Sequence, residues 1–152
     1  VAPAGTSEHM TGLAFDITVP GVSFTGTKQQ KWLHEHCYEY GFVVRYPDSK
    51  SAVTGVDGYD YCLRYVGVAH ATYMYENDLC MEEYINLLQN TYNSSATRLS
   101  ITADGTAYEV YYVLASGEEL TTLDVPSNYS YTVSGDNRSG FIVTVTMTAP
   151  AA

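Results

Sequence analysis

His9 and Asp16 are residue types that bind metal ions, and they stand seven positions apart in Ser7-Glu8-His9-Met10-Thr11-Gly12-Leu13-Ala14-Phe15-Asp16. Small residues, Gly12 and Ala14, lie between them. The run that follows can enter a strand (Phe15, Ile17, Val19). A turn leading into a strand can aim both side chains at one point, and a zinc site requires such convergence from at least three protein ligands. The spacing by itself is equally compatible with a polar loop before an edge strand, because isolated short motifs are weak signals.

Further segments accompany this stretch. Trp32-Leu33 is followed by Tyr40-Gly41-Phe42-Val43-Val44-Arg45-Tyr46-Pro47. Then come Thr54-Gly55, Leu63-Arg64-Tyr65-Val66-Gly67 and His70-Ala71. The first stretch resembles, at every fixed position, the S-x-H-x-x-G-x-A-x-D signature of bacterial zinc D,D-carboxypeptidases and D,D-dipeptidases. These are the VanY/VanX-like peptidases that trim peptidoglycan stems. The later segments resemble that family's W-L…Y-G-F-x-x-R-Y-P and T-G…E-P-W-H-x-R-Y-V-G…H-A, in order, from about Val1 to Leu88. The resemblance implies a zinc cofactor, with His9 and Asp16 as two of its ligands. It implies Ser7 as a group that hydrogen-bonds the substrate terminus, and a peptidoglycan stem peptide ending in D-Ala as the partner.

The resemblance breaks where the family pattern places Glu, Pro, Trp and His. This chain has Tyr59, Asp60, Tyr61 and Cys62. The family's general base thus falls on Tyr59 and its third ligand on Cys62. A thiolate is a good zinc ligand, at about 2.3 Å against roughly 2.0–2.1 Å for a His nitrogen. His9, Asp16 and Cys62 form a candidate set, against the plainer reading of Cys62 as a small buried thiol. Two His and one Asp leave a net positive charge on the ion; His, Asp and thiolate leave none. A neutral site is a weaker Lewis acid. Loss of the base typically removes a factor of about 10²–10⁴. Asp60 is the nearest carboxylate that could substitute, although neighbours in an extended segment point to opposite faces. Tyr59, with a reference pKa near 10, is a poor base at neutral pH. The resemblance also implies an upstream segment whose Arg stabilises the developing oxyanion. Val1 to Thr6 reads as the loop directly before the signature. The expectation is that the sequence is a fragment, that a partner supplies that segment, or that the protein does without it, and such electrostatic terms are usually large.

The elements that must position these residues follow from pattern. Leu13 to Val19 is expected as a strand ended by Pro20-Gly21. Thr27 is the expected N-cap of a helix over Lys28–Tyr40, with Gly41 as its stop. Trp32, Leu33, His36, Cys37 and Tyr40 would be its buried face. His34 and His36, two apart on a helix, diverge and do not share an ion. His34 is expected at the surface and His36 in the core. Phe42–Arg45 and Tyr59–Val66 are expected strands, with a turn over Pro47–Lys50. Val68–Tyr75 is an expected helix, with His70 structural. Another helix over Leu79 to about Gln89 should carry Glu82 and Glu83 on its solvated face. Arg45 and Arg64 are expected to pair with internal carboxylates.

From Tyr92 the character changes. After the polar Asn93-Ser94-Ser95 come five strand-like runs: Arg98–Thr102, Ala107–Leu114, Glu119–Val125, Ser130–Val133 and Phe141–Thr148. Asp104-Gly105 and Ser116-Gly117 are expected hairpin turns. The loop from Gly135 to Gly140 has one carboxylate, too few for calcium. The expected class is α+β: an antiparallel sheet with flanking helices over residues 1–92, then a small all-β extension over 93–152. That tail resembles the β extension of some family members and could pack on the core or touch cell wall or a protein partner.

Net charge is minus ten. That argues against nucleic acid, whose binding depends on Lys and Arg contacts to phosphate. No apolar run is long enough to span a membrane, and no signal peptide is visible at Val1. Fifteen Tyr with many Thr, Val and Ser favour strands and, with the resemblance, a bacterial extracytoplasmic location in the cell wall or outside the cell. Of the three Cys, Cys37 and Cys80 could pair, which would leave Cys62 as the free thiolate. Two functions follow. One is zinc-dependent D-alanyl-D-alanine carboxypeptidase action, with Asp60 or Tyr59 at the base position. The other is a degenerate member that binds a wall peptide or serves as a structural or assembly subunit.

Overall fold

A computed structural model describes residues 5–117 and 120–148. Val1 to Ala4 and Glu119, on which some expectations above fall, lie outside the described residues. The chain divides into two compact units, Val1–Glu82 and Glu83–Ala152.

The first unit carries a three-stranded antiparallel sheet in the order β1 (Ala14–Asp16), β3 (Cys62–Tyr65), β2 (Phe42–Val44). The register pairs Ala14 with Arg64, Phe15 with Leu63 and Asp16 with Cys62; on the other side, Val43 faces Arg64. Side chains alternate between faces along a strand. One face therefore gathers Ala14, Asp16, Cys62, Arg64 and Val43, and the other Phe15, Leu63, Phe42 and Tyr65. Helix α1 (Lys28–His36) begins where Thr27 Oγ1 accepts the Gln30 N–H at 3.1 Å. Such a cap stabilises a helix by about 1 kcal/mol. It tightens into a 3₁₀ turn over Cys37–Tyr40 and stops at Gly41, whose φ is 80°. A Cβ at Gly41 would lie 2.8 Å from the Tyr65 ring and 3.0 Å from the Val68 nitrogen, so glycine is needed there for space as well as conformation. A short α2 (Ser51–Thr54) and α3 (Val68–Glu76) follow, and α3 buries Ala69, Ala71, Thr72 and Met74. The division between the units falls within α4 (Met81–Thr91), whereas the composition changes at Tyr92.

The second unit carries a four-stranded antiparallel sheet in the order β4 (Leu99–Ala103), β5 (Thr106–Leu114), β7 (Gly140–Thr146), β6 (Ser130–Gly135). Asp104 and Gly105, both with positive φ, join β4 to β5. This is the geometry that matches the twist of a tight hairpin. Tyr111, Val143 and Val145, each fully buried, form its core with Val113, Val125, Tyr129 and Met147 around them. The β6–β7 loop is locked by Asp136. Its Oδ1 accepts the backbone N–H groups of Arg138, Ser139 and Gly140 at 2.8–3.0 Å, and its Oδ2 accepts from Tyr112 and Gln89. Both oxygens of the carboxylate are thus engaged in holding the loop.

The α+β class with a β-rich C-terminal region is observed, and several local expectations are corrected. The strand expected over Leu13–Val19 is three residues long, because Val19 bridges to Val22 instead of a neighbouring strand. Residues 120–125 form no strand, and Ser116-Gly117 is no hairpin turn: Ser116 instead bonds locally to Leu120 and Thr121. Trp32 and Tyr40 are half-exposed rather than buried. The two histidines exchange places. His34 Nε2 reaches inward to the Asp60 carbonyl at 3.0 Å, while His36 lies outside, stacked on Trp32 and paired with Glu39. Glu82 leaves the solvated face to bind Arg45. Cys37, Cys62 and Cys80 are all buried and none is joined to another by a disulfide, so the Cys37–Cys80 pairing is not formed.

Candidate metal centre

His9 sits in a 3₁₀ turn, Glu8–Thr11, that the sequence builds from its own polar groups. Ser7 Oγ accepts the His9 N–H at 3.3 Å, Thr11 Oγ1 donates to the Glu8 carbonyl, and Gly12 N–H closes on the His9 carbonyl at 3.1 Å. Asp16 follows on β1, and the register sets it directly opposite Cys62 on β3. The ligand atoms of His9, Asp16 and Cys62 all lie within 4.8 Å of one another, and they form the one metal-capable trio of this kind among the described residues. His9 and Asp16 are exposed, while Cys62 is buried.

The donor chemistry fits a cation. His9 Nδ1 lies 3.1 Å from the Ala14 carbonyl, which can only accept, so Nδ1 carries the proton and Nε2 presents its lone pair. Metal-bound histidines are oriented by this kind of contact. Nε2 is 3.4 Å from Asp16 Oδ1. The Tyr59 hydroxyl lies 3.0 Å from Nε2 and donates to Asp16 at 2.8–3.0 Å. One phenolic proton therefore serves a histidine lone pair and two carboxylate oxygens. A set so rich in lone pairs is what a divalent ion satisfies. Burial first, and then the hydrogen bond and charge of Asp16, push the Cys62 thiol up to about 12. Thiolate ligation is coupled to loss of that proton when a metal binds. Burial and then Asp16 likewise raise the Tyr59 phenol above its ordinary range, so it keeps its proton at neutral pH.

A buried ion-pair network holds the trio. Glu8, next to His9, accepts from Arg45 Nε at 2.7 Å and from Arg64 Nη1 at 2.9 Å. Arg45 is clamped from its other side by Glu82, at 2.7 and 3.2 Å. Arg64 lies on β3 two residues from Cys62, on the same face. Its Nε is buried without a hydrogen bond among the described residues, so the Glu8 contact offsets the cost of burying its charge. Tyr46 donates to Glu8 and stacks on Tyr59 with ring centroids 5.3 Å apart. The histidine turn and the ligand strand are thus fastened to one carboxylate. The expectation that Arg45 and Arg64 have internal partners is met; the part played by Glu8 and Tyr46 was not foreseen. Paired arginines in so acidic a chain were the signal that could have revealed it.

Asp60 is not gathered here. Its Oδ2 accepts from Gln30 Nε2 at 2.5 Å, and the residue lines a separate cavity of about 400 Å³ with His34, Phe42, Val44 and Met74. Tyr59 and Asp60 lie in the turn before β3, which is shorter than the strand expected over Tyr59–Val66. The Cys62 N–H closes this turn on the Tyr59 carbonyl at 3.3 Å, the two side chains take different partners, and the base position is left to the phenol.

The turn-borne histidine, the aspartate and Cys62 across one antiparallel strand pair define a candidate metal site on an α+β domain. Comparison with known proteins gives the particular family. Residues 1–68 match the VanY family, D-alanyl-D-alanine carboxypeptidase. A D-alanyl-D-alanine carboxypeptidase of Enterococcus faecium is 36% identical over 143 residues, covering 94% of this chain and 45% of that protein. The crystal structure of the vancomycin resistance D,D-dipeptidase VanXYg, in complex with a D-Ala-D-Ala phosphinate analog, superposes with a TM-score of 0.83. It is 31% identical and covers 96% of this chain and 60% of that one. VanYB in complex with D-alanine-D-alanine is 48% identical, with a TM-score of 0.51, over 57% of this chain and 48% of its own. The chain is thus similar to VanY/VanX-like D,D-peptidases, through the family match of residues 1–68 and through sequence and fold over most of its length. It spans between 32% and 52% of the length of the curated relatives it matches.

Proposed function

We propose that this chain is a zinc-dependent D-alanyl-D-alanine carboxypeptidase-like module acting on peptidoglycan stem peptides that end in D-Ala. The observation that carries the reading is the convergence of His9 Nε2, Asp16 and Cys62 Sγ within 4.8 Å, on a fold shared with D-Ala-D-Ala-binding relatives. Zinc is the metal of this family. His9, Asp16 and Cys62 would hold it here, and when bound it would supply Lewis-acid polarisation of the scissile carbonyl and a nucleophile at neutral pH. Cys62 contributes a charge that moderates that Lewis acidity. Glu8 fixes the turn that aims His9. Ser7, whose oxygen caps that turn, keeps its O–H to bind the substrate carboxylate. No carboxylate acts as base at position 59, so turnover is expected below that of a Glu-bearing site by about 10²–10⁴. The reading goes with a bacterial extracytoplasmic location, where such stems are found. No helix among the described residues is long and apolar enough to cross a membrane.

A second reading, peptide binding without hydrolysis, is favoured by one observation: the Tyr59 phenol, protonated and bonded to Asp16, stands where a base would act. Release of D-alanine from a peptide ending in D-Ala-D-Ala, with zinc supplied and a chelator control, separates the two. Chelator-sensitive release supports the first. Binding of the peptide without release supports the second, and neither binding nor release contradicts both.

A further inference from the structure

We infer that Tyr59 is the fourth donor of the metal site and closes the coordination position that a hydrolytic zinc centre keeps open. The inference rests on the metal-site reading above and concerns what that site admits.

The Ala14 carbonyl takes Nδ1 of His9, so Nε2 is the nitrogen left to face an ion. Tyr59 Oη lies 3.0 Å from that Nε2. It also lies 3.0 and 2.8 Å from the two oxygens of Asp16. A group that merely orients a ligand binds the atom turned away from the metal. Tyr59 contacts the metal-facing atoms of two ligands at once, so it stands on the inside of the cluster.

The distances agree with a single donor shell. Bonds of roughly 2.0–2.1 Å in a tetrahedral site set neighbouring nitrogen and oxygen donors about 3.3–3.4 Å apart. The His9–Asp16 separation of 3.4 Å already matches. The Tyr59 separations are a few tenths shorter, as expected for hydrogen bonds that open slightly around an ion. The ring is also held in place. It stacks on Tyr46 at an interplanar angle of 12° and meets Tyr61 edge-on at 4.8 Å. Tyr46 is in turn bonded to Glu8.

His, Asp, Cys and Tyr make four donors, with Tyr59, like Cys62, giving its proton up to solvent as the ion binds. Four protein ligands characterise closed, structural zinc sites, whereas three plus an open position characterise catalytic ones. In this chain the residue that replaces the base also takes the place of the exchangeable ligand. A substrate carbonyl, or any small anion, must displace the phenol to reach the metal.

The test uses the chain loaded with cobalt(II) and titrated with azide, read by the visible d–d spectrum. The wild-type chain should bind one cobalt and leave its spectrum unchanged by azide. Tyr59→Phe should still bind cobalt but shift its spectrum on azide addition, at a concentration at least tenfold lower than any wild-type response. Equal azide response in both proteins would overturn the inference while leaving the metal site intact. Absence of a cobalt spectrum in both would overturn the metal reading itself. If Tyr59→Phe does not fold, the wild type decides alone: an azide-insensitive spectrum supports closure, and an azide-sensitive one refutes it.

Discussion

The two units are built on different principles. The second is a regular sheet with strands of five to nine residues, two of them joined by the tight Asp104-Gly105 turn, around fully buried Tyr111, Val143 and Val145. The first has strands of only three or four residues. Its site is fixed by charge: Glu8 between Arg45 and Arg64, and Glu82 behind Arg45. A ladder of backbone bonds tolerates change along its length. A charge network positions side chains sharply, but fails when one member is removed, because the others are left buried and unpaired. The unit with the least regular structure is the one that presents convergent donors, which accords with irregular segments on a scaffold carrying function.

The largest expected effect tests that contrast. Glu8→Ala should leave Arg64 without its carboxylate and Arg45 with Glu82 alone, and cost about 3 kcal/mol. Chemical denaturation followed by the fluorescence of Trp32, the only tryptophan and a residue of the first unit, reads it. A loss under about 1 kcal/mol would mean the network is ornamental to stability.

Next in size is a pH effect confined to the first unit. Burial lowers His70 to about 4. The unfolded chain takes up the proton near pH 6.5 and the folded chain does not. Stability is therefore fully present above about pH 6.5 and declines as pH falls from there to about 4, by at most about 3 kcal/mol. The same Trp32 signal should show this slope, and His70→Gln should flatten it. A slope unchanged by the substitution would assign the effect to another group.

Val143→Ala, in the apolar core of the second unit, should cost about 2 kcal/mol. Zinc content should stay the same, since none of the metal donors lies in that unit. A fall in zinc content would break the separation drawn here.

The smallest effect is on the β6–β7 loop. Three backbone N–H groups and Tyr112 outweigh burial and hold the Asp136 carboxyl well below the usual range. Its stabilisation is present above the unfolded carboxyl pKa near 3.9 and is lost as pH falls below it, the opposite side of pH 4 from His70. Asp136→Asn should remove about 1 kcal/mol at neutral pH. Amide exchange of Arg138, Ser139 and Gly140 should rise with it, and unchanged exchange would refute the role.

The same contrast explains what could be read from sequence. Alternating Val, Tyr and Thr with Asp104-Gly105 made most strands of the second unit legible. Glu119–Val125 looked equally strand-like, but its described residues, 120–125, form no strand. In the first unit, Thr27, Gly41 and the signature located the helix and the histidine turn. The pairing of Asp16 with Cys62 was not legible, because register across β1 and β3 is a long-range property. Nor was the exchange of His34 and His36, since both fit a helical pattern and only the tertiary position of Asp60 decides which turns inward. The phenol of Tyr59 was visible as a departure from the family pattern, but its place between His9 and Asp16 required coordinates.

The central claim is that His9, Asp16 and Cys62 form a metal site, and cadmium titration tests it most directly through the thiolate-to-metal absorption band. One cadmium is expected per chain. The band should vanish in Cys62→Ser and persist in Cys37→Ser and Cys80→Ser. A band that survives loss of Cys62, or that never appears in the wild-type chain, would contradict it.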